Sequence, residues 1–152
     1  MEYICKLCIN NPEFHSFNHI SKYDENSYMF YTKIIPVNDN EDENALIAHY
    51  EKYLEFVNPD KWIWIINFNG ITLKHLLKIN LTIKLGHLIQ KYNNLEKIII
   101  FNSNYIVVKL MGMLKPLIGS GLFSKVYFFD EERKNQFIKE NNINIYIINE
   151  RK

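Results

Sequence analysis

Arginine is nearly absent from this 152-residue chain, where only Arg133 and Arg151 represent it. Recognition of nucleic acids commonly uses arginine forks and exposed aromatic side chains. The lysine-rich middle of the chain contains no arginine, and most of its aromatic residues fall within predicted strands. We therefore expect no nucleic-acid partner.

Long apolar runs are also missing. No stretch approaches the roughly 18 apolar residues that a membrane span requires. The first ten residues, MEYICKLCIN, lack both the basic start and the long apolar run of a signal peptide. These absences predict a soluble protein of the cytoplasm.

Cysteine is scarce, and both copies lie near the N-terminus. Cys5 and Cys8 form a C-x-x-C pair, and His15 and His19 follow with H-x3-H spacing. A zinc site is one reading, but the gap between the pairs is shorter than usual finger spacing. A redox motif would need a preceding strand and a following helix. We favour two ordinary cysteines and predict neither a metal nor a cofactor.

The motifs of common enzymes are absent as well. The chain has no G-x-S-x-G elbow, P-loop, dinucleotide-binding glycine pattern or H-E-x-x-H sequence. Ser103 and Ser124 have no convincing base near them in the sequence. The histidines are scattered, at positions His15, His19, His49, His75 and His87. We predict that the protein is not an enzyme.

Acidic residues are missing from the middle of the chain. Between Lys61 and Lys125 there are nine lysines and one acid, Glu96, so this segment has a formal net charge of +8, although the whole chain is only +1. Such asymmetry indicates an anionic partner. The alternative is that the lysines only make the outer faces of helices soluble.

Apolar runs of strand length alternate with segments of helical periodicity. This order predicts an α/β fold in which a mixed, mainly parallel sheet is flanked by helices, within a single domain covering residues 1–152. Ligands of such sheets gather outside the carboxyl ends of the strands. The predicted strands are 27–37, 61–68, 96–102, 125–129 and 143–148, and the predicted helices are 39–57, from 72 onwards, 105–117 and 130–142.

The stretch KPLIGSGLFSKVYFF, from Lys115 to Phe129, places a Gly-Ser-Gly sequence within an apolar segment that has lysines near both ends. One reading is an ordinary connection between a helix and a strand. The other is a lid over an apolar ligand with a negative head, since glycines can absorb the backbone change of lid opening.

From about Trp62 to Phe129 the chain resembles CRAL-TRIO domains, a family of lipid-binding proteins. IWIINFNGITL is similar to a strand and its following turn in that family. NNLEKIIIFNSNYIVVKLMGMLKPLIGSGLFSKVYFF is similar to the next strand, a turn, a helix, the gating loop and a further strand. The resemblance implies a minimal CRAL-TRIO-like domain that lacks the helical lobe usually found before it.

The resemblance also implies positions for a lipid site. It assigns Thr72, Lys74, Lys115 and Lys125 to binding of the lipid headgroup, and Gly119, Ser120, Gly121, Leu122 and Phe123 to the gating loop. Some positions depart from the family pattern. Asn67 replaces the acidic turn residue, Ser103 and Asn104 replace prolines, and Asn93 replaces an acid that contacts inositol. A lysine before a buried strand, as Lys125 is, also fits a purely structural role.

The resulting hypothesis is a binding or transfer protein for anionic phospholipids, with phosphoinositides as the favoured class. It would associate reversibly with a peripheral membrane surface. The alternative is a protein-interaction scaffold of the same fold that binds a regulator of small GTPases or forms a homodimer.

Overall fold

A computed structural model describes residues 18–33, 40–69, 79–92 and 94–144. Five strands and five helices lie in these ranges. The strands are β1 (Asn18–Asp24), β2 (Ser27–Lys33), β3 (Lys61–Asn67), β4 (Leu95–Phe101) and β5 (Val126–Phe128). The helices are α1 (Asn40–Val57), α2 (Ile79–Gln90), α3 (Tyr105–Ile118), α4 (Ser120–Phe123) and α5 (Glu131–Glu140).

The strands form one sheet in the order β1-β2-β3-β4-β5. β1 and β2 are antiparallel, and each later neighbour is parallel to the strand before it. A parallel pair requires a crossover, which a helix normally supplies. Here α1, α2 and α3 with α4 make the three crossovers. The predicted α/β fold with a mixed, mainly parallel sheet is therefore confirmed.

The continuous apolar runs form strands that are buried on both faces. In β3, every residue from Trp62 to Asn67 is buried. Since successive side chains point to opposite faces, the apolar residues divide into two clusters. One cluster contains Phe30, Trp62, Trp64 and Ile100 and packs against α1 to α4. The other contains Met29, Ile65 and Phe101 and packs against α5.

The helices are distributed unevenly over the sheet. In the layer on the first face, α2 contacts both α1 and α3 and so lies between them. On the opposite face, α5 places Ile138 in the second cluster. The helical spacing predicted for α1 is confirmed, because Leu46, Tyr50, Tyr53 and Leu54 are all buried. The arrangement leaves α1 and α3 as the two ends of one helical layer.

Several boundaries differ from the sequence prediction. β1 was not predicted, and it pairs with β2 through a turn in which Asn26 has φ 50°. The strand expected over 27–37 is described only to Lys33, and most of the strand expected over 143–148 lies outside the described residues. β5 is shorter than expected, with three residues. His49, one of the scattered histidines, is buried beside the rings of Tyr50 and Tyr53.

Candidate ligand-binding site

The helix α3 leads into the predicted gating loop. It begins after Asn104, whose side-chain oxygen accepts a hydrogen bond from the backbone N–H of Val107 at 3.0 Å, an N-cap of the usual kind. Its inward face buries Val107, Leu114 and Ile118. Since α3 starts beyond the carboxyl end of β4 and leads into parallel β5, it runs back to the amino ends of the strands. The residues after it therefore gather at that edge of the sheet.

Gly119 forms the corner between α3 and α4. Its φ of 92° and ψ of 141° lie in a region that L side chains rarely adopt. The side-chain amide of Gln90 in α2 donates a hydrogen bond to the carbonyl of Ile118, the residue just before this corner. A Cβ at position 119 would lie 3.1 Å from Nε2 of Gln90. The corner thus requires glycine, and the hydrogen bond from Gln90 attaches it to α2. The sequence did not indicate this contact.

The predicted gating loop is a helical turn rather than an extended loop. Ser120–Phe123 form α4, in which Leu122 is buried in the core while Gly121 is exposed. Hydrogen bonds from the backbone N–H of Phe123 to the carbonyl of Gly119 and from Ser124 to Ser120 close the turn. The segment is therefore anchored mainly through Leu122.

Lys115 lies beside this turn. Its Nζ is 5.5 Å from the centroid of the Phe123 ring, a cation–π contact that joins the last turn of α3 to the end of α4. Lys115 is exposed. The structure therefore brings together one predicted headgroup lysine and one predicted gating residue, and it leaves the ammonium group in contact with solvent.

Lys125 has a structural partner. Its Nζ donates a hydrogen bond of 2.8 Å to the carbonyl oxygen of Leu95, the first residue of β4. Because Lys125 immediately precedes β5, this bond joins the amino ends of two parallel strands. Thr72 and Lys74, the other two predicted headgroup residues, lie outside the described residues.

A polar network occupies the opposite, carboxyl edge of the sheet. The amide of Asn67 donates to the hydroxyl of Tyr31 at 2.9 Å, and its oxygen accepts a bond of 2.8 Å from the amide of Asn102. Burial raises the pKa of Tyr31, and the bond from Asn67 opposes that shift. The oxygen of Asn102 accepts a bond from Nζ of the buried Lys134, which also pairs with Glu131 at 3.0 Å.

Ligands were expected outside the carboxyl ends of the strands, and this network lies at that edge, whereas α4 and Lys125 lie at the amino edge. Its members largely satisfy one another. The neighbouring Asp130, Glu131 and Glu132 make the surroundings acidic. These features favour a structural role over an anion site at this edge. Sequence reasoning missed Lys134 because lysine is rarely buried, although its i, i+4 spacing from Ile138 places it on the inward face of α5.

The outer flank of α3 carries exposed apolar side chains. Met113 is 66% exposed, Leu117 is 53% exposed and Ile106 is 47% exposed. The apolar composition of this segment predicted a helix but did not show which flank stays uncovered. From Lys97 to Phe129 the chain has four lysines and no acid, so this apolar flank belongs to a segment of the sequence with a net positive charge.

No group of three or more metal-binding side chains occurs among the described residues. None of the helices within the described ranges is both long enough and apolar enough to cross a bilayer.

Comparison with known protein families identifies one match. The profile of the CRAL/TRIO domain matches residues 16–146, which is most of the chain and includes the sheet, α3 and the Gly119 corner. No curated protein matches the chain.

Proposed function

Because the chain belongs to the CRAL/TRIO domain family, whose fold supports binding of a lipid or another small hydrophobic ligand, we propose that it binds anionic phospholipids, with phosphoinositides as the preferred class. The protein would act by binding alone, without covalent chemistry. It would carry the lipid or present it at a membrane surface.

The observation that carries this proposal is that the segment from Lys97 to Phe129, which contains most of β4 and all of α3, α4 and β5, has no acidic residue. Lys97, Lys109, Lys115 and Lys125 all fall in a segment without one carboxylate side chain. Lysine ammonium groups are point partners for phosphate. Because this segment has no carboxylates of its own, an incoming phosphate would serve as a counter-ion for the exposed Lys115.

The Gly119 corner and α4 supply the means of opening. One side of α4 is fixed by the buried Leu122, and Lys115 touches Phe123 across the corner. A phosphate that draws Lys115 away would remove this cation–π contact. Within α4 the remaining side-chain anchor is then the apolar Leu122, which an entering acyl chain could replace while the hydrogen bonds of Gln90 and Lys125 hold the two ends of the segment.

Lys125 would contribute differently from Lys115. Its ammonium group has three N–H donors, of which one is directed to the carbonyl of Leu95. It can therefore contact a phosphate while keeping this bond. In that arrangement Lys125 is a fixed charge at the rim and Lys115 is a mobile one.

The direct test distinguishes binding of a single lipid molecule from binding to a membrane surface. Native mass spectrometry of the purified protein would show a co-purified lipid. Calorimetric titration with dioctanoyl phosphatidylinositol 4-phosphate, dissolved as monomers, should show binding that weakens with added salt, and dioctanoyl phosphatidylcholine should bind more weakly.

The matched variants are Lys115→Ala and Lys52→Ala. Both lysines are exposed, but Lys52 lies on the acid-rich α1, where it pairs with Glu55 at 3.9 Å. Lys115→Ala should weaken binding of the phosphoinositide, and Lys52→Ala should leave it unchanged. Equal binding of both dissolved lipids, or no binding of either together with no co-purified lipid, would contradict the proposal and favour the protein-interaction scaffold.

A further inference from the structure

The strand β5 ends the sheet within the described residues, and its outer edge carries backbone groups that pair with no strand there. The carbonyl of Lys125 and the N–H of Phe129, which flank β5, bond to β4 at 2.8 Å and 3.0 Å. Backbone groups of successive residues in a strand point to alternate sides. The N–H and C=O groups of Val126 and Phe128 therefore point away from β4. An edge of this kind is a template for pairing with another chain.

The two edges of the described sheet are protected unequally. β1, at the other edge, pairs with β2 through two register shifts and includes the charged Lys22 and Asp24. Bulges and charges discourage pairing with another chain. β5 pairs with β4 without a register shift, and its middle residue, Tyr127, is 40% exposed. The short length of β5 limits a partner to a few hydrogen bonds, so the contact is expected to be weak and reversible.

The topology argues against the chain's own C-terminal segment as the occupant of this edge. The three crossovers from β2 to β5 use helices of one layer, and each moves one strand towards β5. α5 packs on the opposite face, so a strand that followed it to the outer side of β5 would complete a crossover of the opposite hand. Parallel crossovers are right-handed in about 98% of cases. Ile143, which follows α5, is instead buried in the second cluster.

We propose that the outer edge of β5 pairs antiparallel with β5 of a second copy of the chain, which joins the two sheets into one. Tyr127 then lies opposite its own counterpart. Val126 of each copy faces Phe128 of the other, and each of these pairs exchanges both of its N–H···O=C hydrogen bonds. The two-fold axis passes between the two Tyr127 residues, perpendicular to the sheet.

The charges at the two ends of β5 are opposite. Lys125 precedes the strand. Residues 130–134 follow it, and they contain three acids and two cations, so their net charge is −1, with the acids Asp130, Glu131 and Glu132 nearest the strand. Antiparallel pairing brings the lysine end of each copy to the acidic end of the other, whereas parallel pairing would bring like charges together. β5 is therefore complementary to itself, as a two-fold contact requires.

The central side chain supports the same contact. Tyr127 pairs with Ile99, which belongs to the second cluster, so its ring lies on the second face, where Nζ of Lys97 is 5.7 Å from its centroid. Residues of a non-hydrogen-bonded antiparallel pair have Cα atoms about 4.5 Å apart, and facing aromatic side chains stabilise such pairs. The inference goes beyond the proposed function and does not depend on it, because the contact involves no lipid.

Disulfide cross-linking tests the register. Tyr127→Cys would be made in a chain whose two native cysteines are replaced by serine. A Cα separation of about 4.5 Å lies within the range of disulfides, so oxidation with diamide should yield a covalent dimer on a non-reducing gel. Tyr105→Cys, at a position 75% exposed on α3, controls for random collision and should stay mainly monomeric. Val126→Cys should also cross-link poorly, because position 126 faces Phe128 and not itself.

Sedimentation velocity over a concentration series measures the association itself. The wild type should shift from monomer to dimer as its concentration rises, and added salt should weaken the dimer. Tyr127→Lys should weaken it about tenfold, because it places like charges opposite each other. Tyr105→Lys should leave it unchanged. A wild type that stays monomeric at every concentration, or a dimer that Tyr127→Lys leaves intact, would overturn the proposal.

Hydrogen exchange identifies what covers the edge. The amides of Val126 and Phe128 should exchange quickly in dilute protein and become protected as the dimer forms. Protection that is already complete in the dilute monomer would mean that the chain covers its own edge, and the proposal would be wrong. Failure of lipid binding is a separate result, since Tyr127→Lys should bind dissolved phosphoinositide as the wild type does. Dimerisation through β5 without any lipid binding would overturn the proposed function and retain this inference.

Discussion

At the scale of single residues, Lys125 is predicted to bind the lipid headgroup and also makes a structural hydrogen bond. Replacing it with alanine removes the hydrogen bond to the carbonyl of Leu95. We expect Lys125→Ala to lower the free energy of unfolding by about 1 kcal/mol, measured by urea denaturation. Lys115→Ala removes an exposed side chain and should change stability by less than about 0.5 kcal/mol. Equal losses would mean that the bond to Leu95 contributes nothing.

Gly119 differs from the nearby Gly121 in backbone conformation. Gly119 has φ 92°, while Gly121 lies within α4 and has no heavy atom within 4 Å of an added Cβ. Gly119→Ala should destabilise the protein by about 1–2 kcal/mol, because an L side chain is strained there. Gly121→Ala should be neutral or slightly stabilising. Thermal unfolding of the two variants would show the difference, and similar midpoints would count against a glycine-specific corner.

Tyr23 links stability to alkaline pH. Burial raises its pKa to about 12, and the charge of Glu96 and a hydrogen bond to that carboxylate add to the shift. A raised pKa in the folded state means that its contribution is complete below the unfolded value of about 10 and is lost as pH rises towards 12. Tyr23→Phe should therefore flatten the decline of stability across this window. The free energy of unfolding would be measured between pH 10 and 12 for both proteins, with Tyr105→Phe as a control at an exposed position. An equal dependence on pH in Tyr23→Phe and the wild type would contradict this prediction.

At the scale of elements, Gly86 sets how closely α2 and α3 pack. A Cβ there would lie 3.1 Å from Cγ2 of the buried Ile118, whereas an added Cβ at Gly112 meets no heavy atom within 4 Å. Both substitutions by alanine gain helix propensity, but only Gly86→Ala must displace a packed side chain. We expect it to be at least about 1 kcal/mol less stable than Gly112→Ala in chemical denaturation. Equal stabilities would show that Ile118 moves aside freely.

The elements were predictable where one local pattern was sufficient. The runs around Trp64 and Ile99 have the length and apolar composition of strands buried on both faces, and their alternation with helical segments predicted a parallel sheet with helical crossovers. β1 was missed because polar residues interrupt NHISKYD, so its pairing depends on the turn at Asn26 rather than on periodicity. Hydrophobic spacing also could not show which flank of α3 remains uncovered.

The candidate site was less predictable, because its contacts join distant parts of the chain. Lys125 and Leu95 are 30 residues apart, and Gln90 and Ile118 are 28 residues apart. The Gly-Ser-Gly sequence was interpreted as a helix-to-strand connection or as a hinged lid, and neither interpretation could show that the residues after Gly119 form a helical turn. That turn depends on the burial of Leu122 among core side chains, and this packing site exists only once the core has assembled.

At the scale of the whole molecule, affinity for anionic vesicles should depend more on where the charged residues lie than on the net charge. Lys109→Gln combined with Lys115→Gln should weaken binding to anionic vesicles about thirtyfold, given roughly 1 kcal/mol for each lysine near the surface. Glu51→Gln combined with Glu55→Gln changes the net charge by the same amount in the opposite direction but acts at the far end of the helical layer. We expect that pair to alter affinity only slightly in vesicle sedimentation.

Comparable changes of opposite sign in the two double variants would mean that net charge alone governs docking. Raising the salt concentration should reduce the difference in vesicle affinity between the wild type and the double lysine variant, because screening weakens the contacts of both ammonium groups. Sedimentation across a salt series would follow this convergence.

The bond between Lys125 and Leu95 has a mechanical consequence for α4. The segment is fixed at one end where Gln90 holds the carbonyl before Gly119, and at the other where Lys125 is tied to β4. The segment is therefore attached to the rest of the fold at both ends, and neither end is free to swing outward. The six peptide steps from Gly119 to Lys125 can extend to about 20 Å at most. If an acyl chain binds beneath α4 as proposed, it would therefore enter from the side, because both ends of the segment stay fixed.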